Sequence, residues 1–172
     1  MRLSLLAALG AVVALAAPGL ATAGPGLVVG AVEDDVRAST LVEAEAQMDT
    51  LRLSGFRAVR VTSYWTPGLT RPSDDELRVL RNVGDAALAN GVRVYVTVMS
   101  PGSRTTPLTD EERAEFAAFA AAIVRSAPSL EHVIVGNEPN INRFWLPQFN
   151  PNGTDAAAPA YTALLARTYD AV

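Results

Sequence analysis

Short apolar runs alternate with longer amphipathic segments along most of the chain. Four of the runs are rich in β-branched residues, at 27–32, 58–63, 92–98 and 132–136. Continuous apolar runs of this length are typical of strands that are buried on both faces of a sheet. The pattern therefore predicts four strands, which begin about 30 to 40 residues apart.

A helical segment follows each predicted strand. Three of these helices begin with Ser or Thr followed three residues later by Glu, the signature of a capping box. The pairs are Thr40/Glu43, Ser73/Glu76 and Thr109/Glu112, and the fourth helix has Pro159 in its first turn. Apolar residues then recur at helical spacing, so one face of each helix is expected to be buried. The residues predicted to face inward are Leu41, Ala44, Met48 and Leu51; Leu77, Leu80, Val83 and Ala87; Phe116, Phe119, Ala120 and Ile123; and Tyr161, Leu164, Leu165 and Tyr169.

Regular strand–helix alternation indicates an α/β fold with a parallel sheet, either a barrel or a doubly wound open sheet. A nucleotide-binding open sheet normally carries G-x-G-x-x-G just after its first strand. Here Gly24, Gly26 and Gly30 lie before and within that strand, which favours the barrel. A (β/α)8 TIM barrel needs about 200 to 250 residues. We therefore expect residues 24–172 to form its first four βα units, as a truncated half barrel.

The first 23 residues have the pattern of a secretory signal peptide. Arg2 supplies the positive start, residues 3–17 are apolar, and Ala21-Thr22-Ala23 fits the small-x-small cleavage pattern. Pro18-Gly19 interrupts the apolar run, which is short for a membrane span. We expect cleavage after Ala23 and a secreted, extracellular protein without a membrane anchor; the alternative is an uncleaved N-terminal anchor.

Composition removes several classes of chemistry. The 172 residues hold 18 acidic and 14 basic side chains, for a net charge of -4, so a nucleic-acid partner is not expected. The chain has no Lys and no Cys, which excludes Schiff-base and thiol catalysis. A single His leaves little for a histidine-built metal site. Carboxylates, amides, hydroxyls and arginines remain, and neither a metal nor an organic cofactor is implied.

A carboxylate follows the fourth predicted strand, within Gly136-Asn137-Glu138-Pro139-Asn140. In a parallel barrel the carboxyl ends of the strands carry the active site. Cleavage of a glycosidic bond needs an acid that protonates the leaving oxygen and a second carboxylate that attacks or activates water. Glu138 suits the first role, and the amide of Asn137 can contact the sugar 2-hydroxyl. The alternative is that Glu138 is a solvated loop acid.

The motif that closes strand four resembles glycoside hydrolase clan A, the retaining (β/α)8 enzymes that include family 5 cellulases and mannanases. Arg60, in the middle of the otherwise apolar second strand, adds to the resemblance. The resemblance implies that Glu138 is the acid/base catalyst, that Asn137 contacts the 2-hydroxyl, and that Arg60 orients the partner carboxylate. The alternative for Arg60 is an ion pair with a local acid.

The chain departs from the clan in two ways. The family's nucleophile is a Glu at the end of strand seven, and only four strands are predicted here. Many members also carry a His at strand three, whereas residues 96–100 contain none. The double-displacement mechanism is therefore not expected to run on this polypeptide alone.

Aromatic residues lie next to the predicted catalytic end of the sheet. Trp65 follows strand two and Trp145 follows strand four, so both, with Asn140, are candidates for sugar binding. Exposed aromatic faces with polar edges suit a glycan cleft, while core packing is the alternative for each Trp. His132 opens strand four at the opposite end and is expected to be structural.

The function that follows is retaining hydrolysis of O-glycosidic bonds in a polysaccharide or oligosaccharide. This chain would supply the acid/base half of the site, and its partner would be the carbohydrate substrate. The alternative is a secreted, non-catalytic carbohydrate-binding protein on a degenerate barrel. A barrel isomerase or lyase is disfavoured by the absence of Lys and the scarcity of His. A half barrel would leave an unpaired strand at each edge, so marginal stability or self-association is expected.

Overall fold

The computed structural model describes Gly24 and residues 26–172. The predicted signal peptide, residues 1–23, lies outside the described residues. Over the part of the chain that is described, no helix combines the length and the apolar composition that crossing a membrane requires.

Four strands and four helices alternate along the chain. In order they are β1 (Gly30–Val32), α1 (Leu41–Leu53), β2 (Ala58–Tyr64), α2 (Asp74–Asn90), β3 (Arg93–Met99), α3 (Asp110–Ser126), β4 (His132–Val135) and α4 (Ala157–Ala171). The strands form one parallel sheet in the order β1-β2-β3-β4. A short 3₁₀ turn, Ser103–Thr105, lies between β3 and α3.

The two faces of the sheet differ in what they carry. Val59, Val61, Val94, Val96 and Val98 are buried in the core that the sheet shares with the helices. The alternate positions form rows across the sheet, because paired residues on neighbouring parallel strands point to the same face. One row places Arg60, Tyr95 and His132 side by side, and the next places Thr62 beside Thr97 and Ile134. This second face, which we call the open face, is therefore largely polar.

The prediction for the first strand is wrong in length and in burial. The strand covers only Gly30–Val32 instead of 27–32, and Val32 is 71% exposed. β1 is an edge strand that pairs only with β2 among the described residues, so one of its sides has no cover. Close packing explains why residue 30 is a glycine, since a Cβ at this position would lie 2.9 Å from the carbonyl oxygen of Ala58.

The predicted helices are present, and most of the residues predicted to face inward are buried. All four such residues of α2 and all four of α3 belong to the core. The prediction fails for Leu41 on α1 and for Leu165 and Tyr169 on α4, which are exposed. Among the described residues, α4 packs mainly against α3 and β4, and Leu165 and Tyr169 line an open groove beside β4.

The three predicted capping boxes differ in completeness. Only Thr109 and Glu112 form the reciprocal pair, in which the Thr side chain accepts from the Glu backbone and the Glu side chain from the Thr backbone. Ser73 caps α2 through its hydroxyl, but the carboxylate of Glu76 accepts hydrogen bonds from Ser63 and Arg37 instead. The side chain of Glu76 therefore links α2 to β2 and does not complete the cap of α2.

Candidate active site

Side chains from β2, β3 and the segment that follows β4 form one connected polar group on the open face of the sheet. Arg60 of β2 donates from Nε to Oγ1 of Thr97 on β3 at 2.6 Å. It also donates from Nη2 to Oδ1 of Asn137 at 2.8 Å, just beyond β4. The guanidinium thus spans the open face across the sheet, as the parallel register requires.

Asn137 links Arg60 to Glu138 through hydrogen bonds of its side-chain amide. Since its Oδ1 accepts from Arg60, its Nδ2 is turned toward Oε2 of Glu138, at 3.4 Å. Arg60, Asn137 and Glu138 therefore form one chain, which we call the Arg60–Glu138 relay. The relay fixes the orientation of the amide and leaves the Glu138 carboxylate exposed at the carboxyl end of the sheet.

Glu138 has an unusual backbone conformation. Its φ of 40° makes it the only non-glycine residue with positive φ among those the structure describes. This left-handed region is unfavourable for a residue with a Cβ, and the following Pro139 disfavours helical conformations further. Strain of this kind persists only where the surroundings hold the residue, and it concentrates at functional sites.

The loop after Glu138 is held by several hydrogen bonds. The amide of Ile141 donates to the Glu138 carbonyl at 3.1 Å. Nε2 of Gln148 donates to the carbonyls of Pro139 and Trp145, at 3.0 and 2.9 Å. These hydrogen bonds fix the turn that follows Glu138, so they hold its backbone in the unfavourable conformation.

Tyr161 of α4 supports the end of β4 from the side. Its hydroxyl donates to the carbonyl of Val135 at 3.0 Å. Burial raises the pKa of the Tyr161 hydroxyl, so it stays protonated and continues to donate.

Arg60 has no ion-pair partner within the described part of the chain. Its recorded partners are a hydroxyl and an amide, and no carboxylate approaches it within salt-bridge distance. The alternative interpretation, a local ion pair, is therefore not what the structure contains. A half-buried guanidinium without a carboxylate retains the capacity to pair with one.

The two tryptophans lie in the interior, so the prediction that they present faces to a sugar is wrong for this structure. Trp65 is fully buried, packs edge-to-face on Phe116 with ring centroids 5.4 Å apart, and donates from Nε1 to the Leu69 carbonyl at 2.8 Å. Trp145 is 4% exposed and packs edge-to-face on Tyr161 at 5.8 Å. Each large ring gains more from burial than it would from exposure.

The structure brings together three of the six residues predicted for the site. Arg60, Asn137 and Glu138 form the relay, while Asn140 is exposed on the loop that follows. Thr97 was missed by sequence reasoning, although a hydroxyl in the middle of an apolar strand was a usable signal. Its role depends on register, since it is fully buried one row beyond Arg60.

The opposite end of the sheet holds a separate cleft of about 550 Å³, lined in part by Arg57, Arg93 and His132. His132 stacks on Tyr95 with ring centroids 4.7 Å apart. His132 is the first residue of β4, so it lies at the amino-terminal end of that strand, away from Glu138. No group of three or more His, Asp or Glu side chains among the described residues is placed to hold a metal ion.

Comparison with known proteins relates the chain to others by fold. No protein-family model and no curated protein matches the sequence. Among solved structures, a GH5_18 protein from Streptomyces cattleya in complex with GlcNAc matches 84% of this chain with a TM-score of 0.55 and 21% identity. A GH5-4 broad specificity endoglucanase from Clostridium longisporum matches 84% with a TM-score of 0.54 and 13% identity.

The chain spans less than half of either solved protein, 41% and 49% of their lengths. Its parallel four-stranded sheet with helices matches the first half of a TIM barrel. The predicted fold, an α/β chain with the first four units of a (β/α)8 barrel, is confirmed, and so is the structural resemblance to family 5 glycoside hydrolases.

Proposed function

We propose, from a fold shared with family 5 glycoside hydrolases, that this chain supplies the acid/base half of a retaining glycosidase site. The observation that carries the proposal is the Arg60–Glu138 relay at the carboxyl end of the sheet. In parallel barrels this end carries the catalytic residues.

Each residue of the relay has a role in this proposal. Glu138 protonates the leaving oxygen while a carboxylate from the other half of the barrel attacks the anomeric carbon and forms a glycosyl ester. Glu138 then takes a proton from water, whose oxygen attacks the anomeric carbon and releases the carboxylate. Asn137 contacts the sugar 2-hydroxyl, and Arg60 holds the attacking carboxylate. In the family that the Asn137-Glu138 motif resembles, that carboxylate belongs to a Glu at the end of strand seven.

Carbohydrate is the proposed substrate class. One neighbour was solved with GlcNAc, and the other is named a broad specificity endoglucanase. We extend this chemistry to the present chain only as far as a pyranose substrate with O-glycosidic linkages. A secreted location, with cleavage after Ala23, fits a polysaccharide substrate that cannot enter a cell.

The test is acid/base catalysis by Glu138 in a complete barrel that contains this chain. Glu138→Ala should lower kcat/KM about 10²- to 10⁴-fold on a glycoside with a poor leaving group. A dinitrophenyl glycoside needs no protonation of its leaving group, so its glycosylation step should be much less affected. Azide should restore turnover and give a glycosyl azide of retained configuration, because azide attacks without a general base.

Glu131→Ala is the matched control, since Glu131 is an exposed acid at the opposite end of β4. Unchanged kinetics in Glu138→Ala, or a loss that azide does not relieve with any substrate, would remove Glu138 from the acid/base role. The 172-residue chain by itself should give no turnover. Retaining hydrolysis by this chain alone would overturn the proposal that its site is only half of the machinery.

A non-catalytic carbohydrate-binding protein is the second candidate. It is favoured by one observation, that no described carboxylate lies within ion-pair distance of Arg60. Binding of a glycan by a complete barrel, without cleavage of that glycan, would establish it.

A further inference from the structure

A cleft of about 360 Å³ begins at the residue that follows Glu138. Pro139 and Asn140 form one wall, and the start of α4 with Tyr161 forms the other. The lining also includes an amide, an aromatic ring and a carboxylate, which belong to Gln148, Phe149 and Asp155. We call it the Phe149 cleft. Its volume lies in the range of small-molecule sites.

Phe149 gives this cleft an apolar platform. Its side chain is 67% exposed although it belongs to a well-defined turn. Phe149 bridges to Asp155 in antiparallel fashion, and the amide of Asn150 donates to the Thr154 carbonyl at 2.8 Å. The exposure of the ring is therefore held by hydrogen bonds, and the exposed apolar area keeps a hydration cost that a stacked ligand would relieve.

Polar atoms with unused hydrogen-bonding capacity surround the ring. Both N–H groups of Gln148 are bound to backbone carbonyls, which fixes the amide and leaves Oε1 as an acceptor. One oxygen of Asp155 accepts from the Ala158 amide at 2.9 Å, and the other makes no hydrogen bond among the described residues. The exposed side chain of Asn140 adds a donor and an acceptor.

This combination has the chemistry of a sugar-binding site. A pyranose ring presents C–H groups on its faces and hydroxyls around its edge, so an aromatic platform bordered by amides and a carboxylate complements both. An extended apolar ligand would leave the polar atoms unsatisfied, and an anionic ligand would face the carboxylate of Asp155.

We infer that the Phe149 cleft is a carbohydrate subsite, which holds a sugar unit next to the glycosidic bond on which Glu138 acts. The inference rests on the proposed function for the identity of that bond. Within it, Phe149 stacks on the ring face, and Asn140, Gln148 and Asp155 contact hydroxyl groups. Phe149 is a specificity residue for a neighbouring sugar unit, with no part in proton transfer.

Titration of the full chain with cellotetraose tests the subsite without requiring turnover. Isothermal titration and ¹⁵N spectra should show binding, with shifts in the side-chain amides of Asn140 and Gln148. Phe149→Ala should weaken binding about five- to tenfold, the scale of one lost aromatic contact. Tyr169→Ala is the matched control, since Tyr169 is an 83% exposed aromatic of α4 outside the cleft.

The outcomes separate the subsite from the catalytic proposal. Loss of affinity in Phe149→Ala but not in Tyr169→Ala supports the subsite, even if the azide test of Glu138 fails. Binding that is weakened by Asn137→Ala but unchanged in Phe149→Ala overturns the subsite and leaves the proposed function standing. Absence of binding at millimolar cellotetraose, with the chain folded by circular dichroism, overturns the subsite.

Discussion

Glu138 combines the chemical role proposed for it with an unfavourable backbone conformation. Its φ of 40° would suit glycine better, and Gly136, two residues earlier, has a φ of 71°. The chain thus turns twice through the left-handed region as it leaves β4. The carboxylate lies at the second of these positions, and strain of this kind is typical of functional sites, which agrees with the role proposed for Glu138.

We predict that Glu138→Gly is more stable than Glu138→Ala by about 1 kcal/mol, because only the alanine keeps the Cβ that makes this conformation costly. At ordinary positions the order is the reverse, since glycine loses more backbone entropy on folding. Urea unfolding of both variants measures the difference. An alanine variant as stable as the glycine variant, or more so, would show that Glu138 is not strained.

The tryptophans show how residue type and position can mislead. Both follow strands at the carboxyl end of the sheet, which is where sugar-binding aromatics are expected. The chain curls back after β2, however, so that Trp65 bonds to the Leu69 carbonyl and packs on Phe116. In the loop between β4 and α4, the ring of Phe149, which was not predicted, is exposed instead.

At the scale of elements, helix caps and ion pairs compete for the same carboxylates. The side chain of Glu112 completes the capping box of α3. The carboxylate of Glu76 accepts hydrogen bonds from Ser63 and Arg37, so it does not take part in the cap of α2. The Arg37–Glu76 pair, at 2.6 Å, and the Ser63 hydroxyl join the loop after β1 to α2 and β2. Local pattern predicts where the helices begin, while the tertiary contacts decide how the caps are made.

We predict that the α3 cap makes stability depend on pH on the acid side. The hydrogen bond from the Thr109 backbone is the main cause that holds the pKa of Glu112 below its ordinary value of 4.5. A lowered pKa in the folded state means that the stabilisation is complete above pH 4.5 and is lost as the pH falls through the folded pKa.

Glu112→Gln should therefore be less stable than the native chain at neutral pH, and the gap should close between about pH 5 and pH 3. Thermal unfolding followed at several pH values measures this. Glu111→Gln is the control, because Glu111 lies in the same first turn and makes no capping bond. A gap that stays constant down to pH 3 would contradict the prediction.

At the scale of the whole molecule, the described chain is one-sided. Helices cover one face of the sheet, while Val32 on β1 and Tyr64 on β2 are exposed on the other. Val133, Leu165 and Tyr169 line a further groove beside β4. Apolar surface at both edges matches the fold comparison, in which the chain corresponds to 41% and 49% of the solved barrels.

Export also concerns the whole molecule, and the prediction of export rests on the sequence of residues 1–23. We predict that expression with a functional secretion pathway yields an extracellular protein that begins at Gly24, because Ala21 and Ala23 provide the small side chains that the cleavage site requires. N-terminal sequencing of the secreted protein is the measurement. Ala23→Arg should block processing, while Thr22→Ser should not. A secreted protein that retains Met1 would contradict the prediction.

Much of the fold could be predicted from the sequence because it is recorded in local pattern. The β-branched runs predicted β2, β3 and β4 to within one residue at each end, and the cap residues gave the start of α1, α2 and α3. The prediction of β1 was wrong because an apolar run does not report whether a neighbouring strand covers it. The same reason accounts for Leu165 and Tyr169.

For the candidate site, too, some features depend on local sequence and others on tertiary packing. The sequence by itself determined that Glu138 follows a parallel strand and that Arg60 interrupts an apolar one, since both facts depend on neighbours along the chain. Only the tertiary structure decided that Arg60, Thr97 and Asn137 meet, because strand register sets which side chains share a row. It also decided which aromatic rings are exposed, because burial depends on how distant segments pack, and the order of residues does not record that.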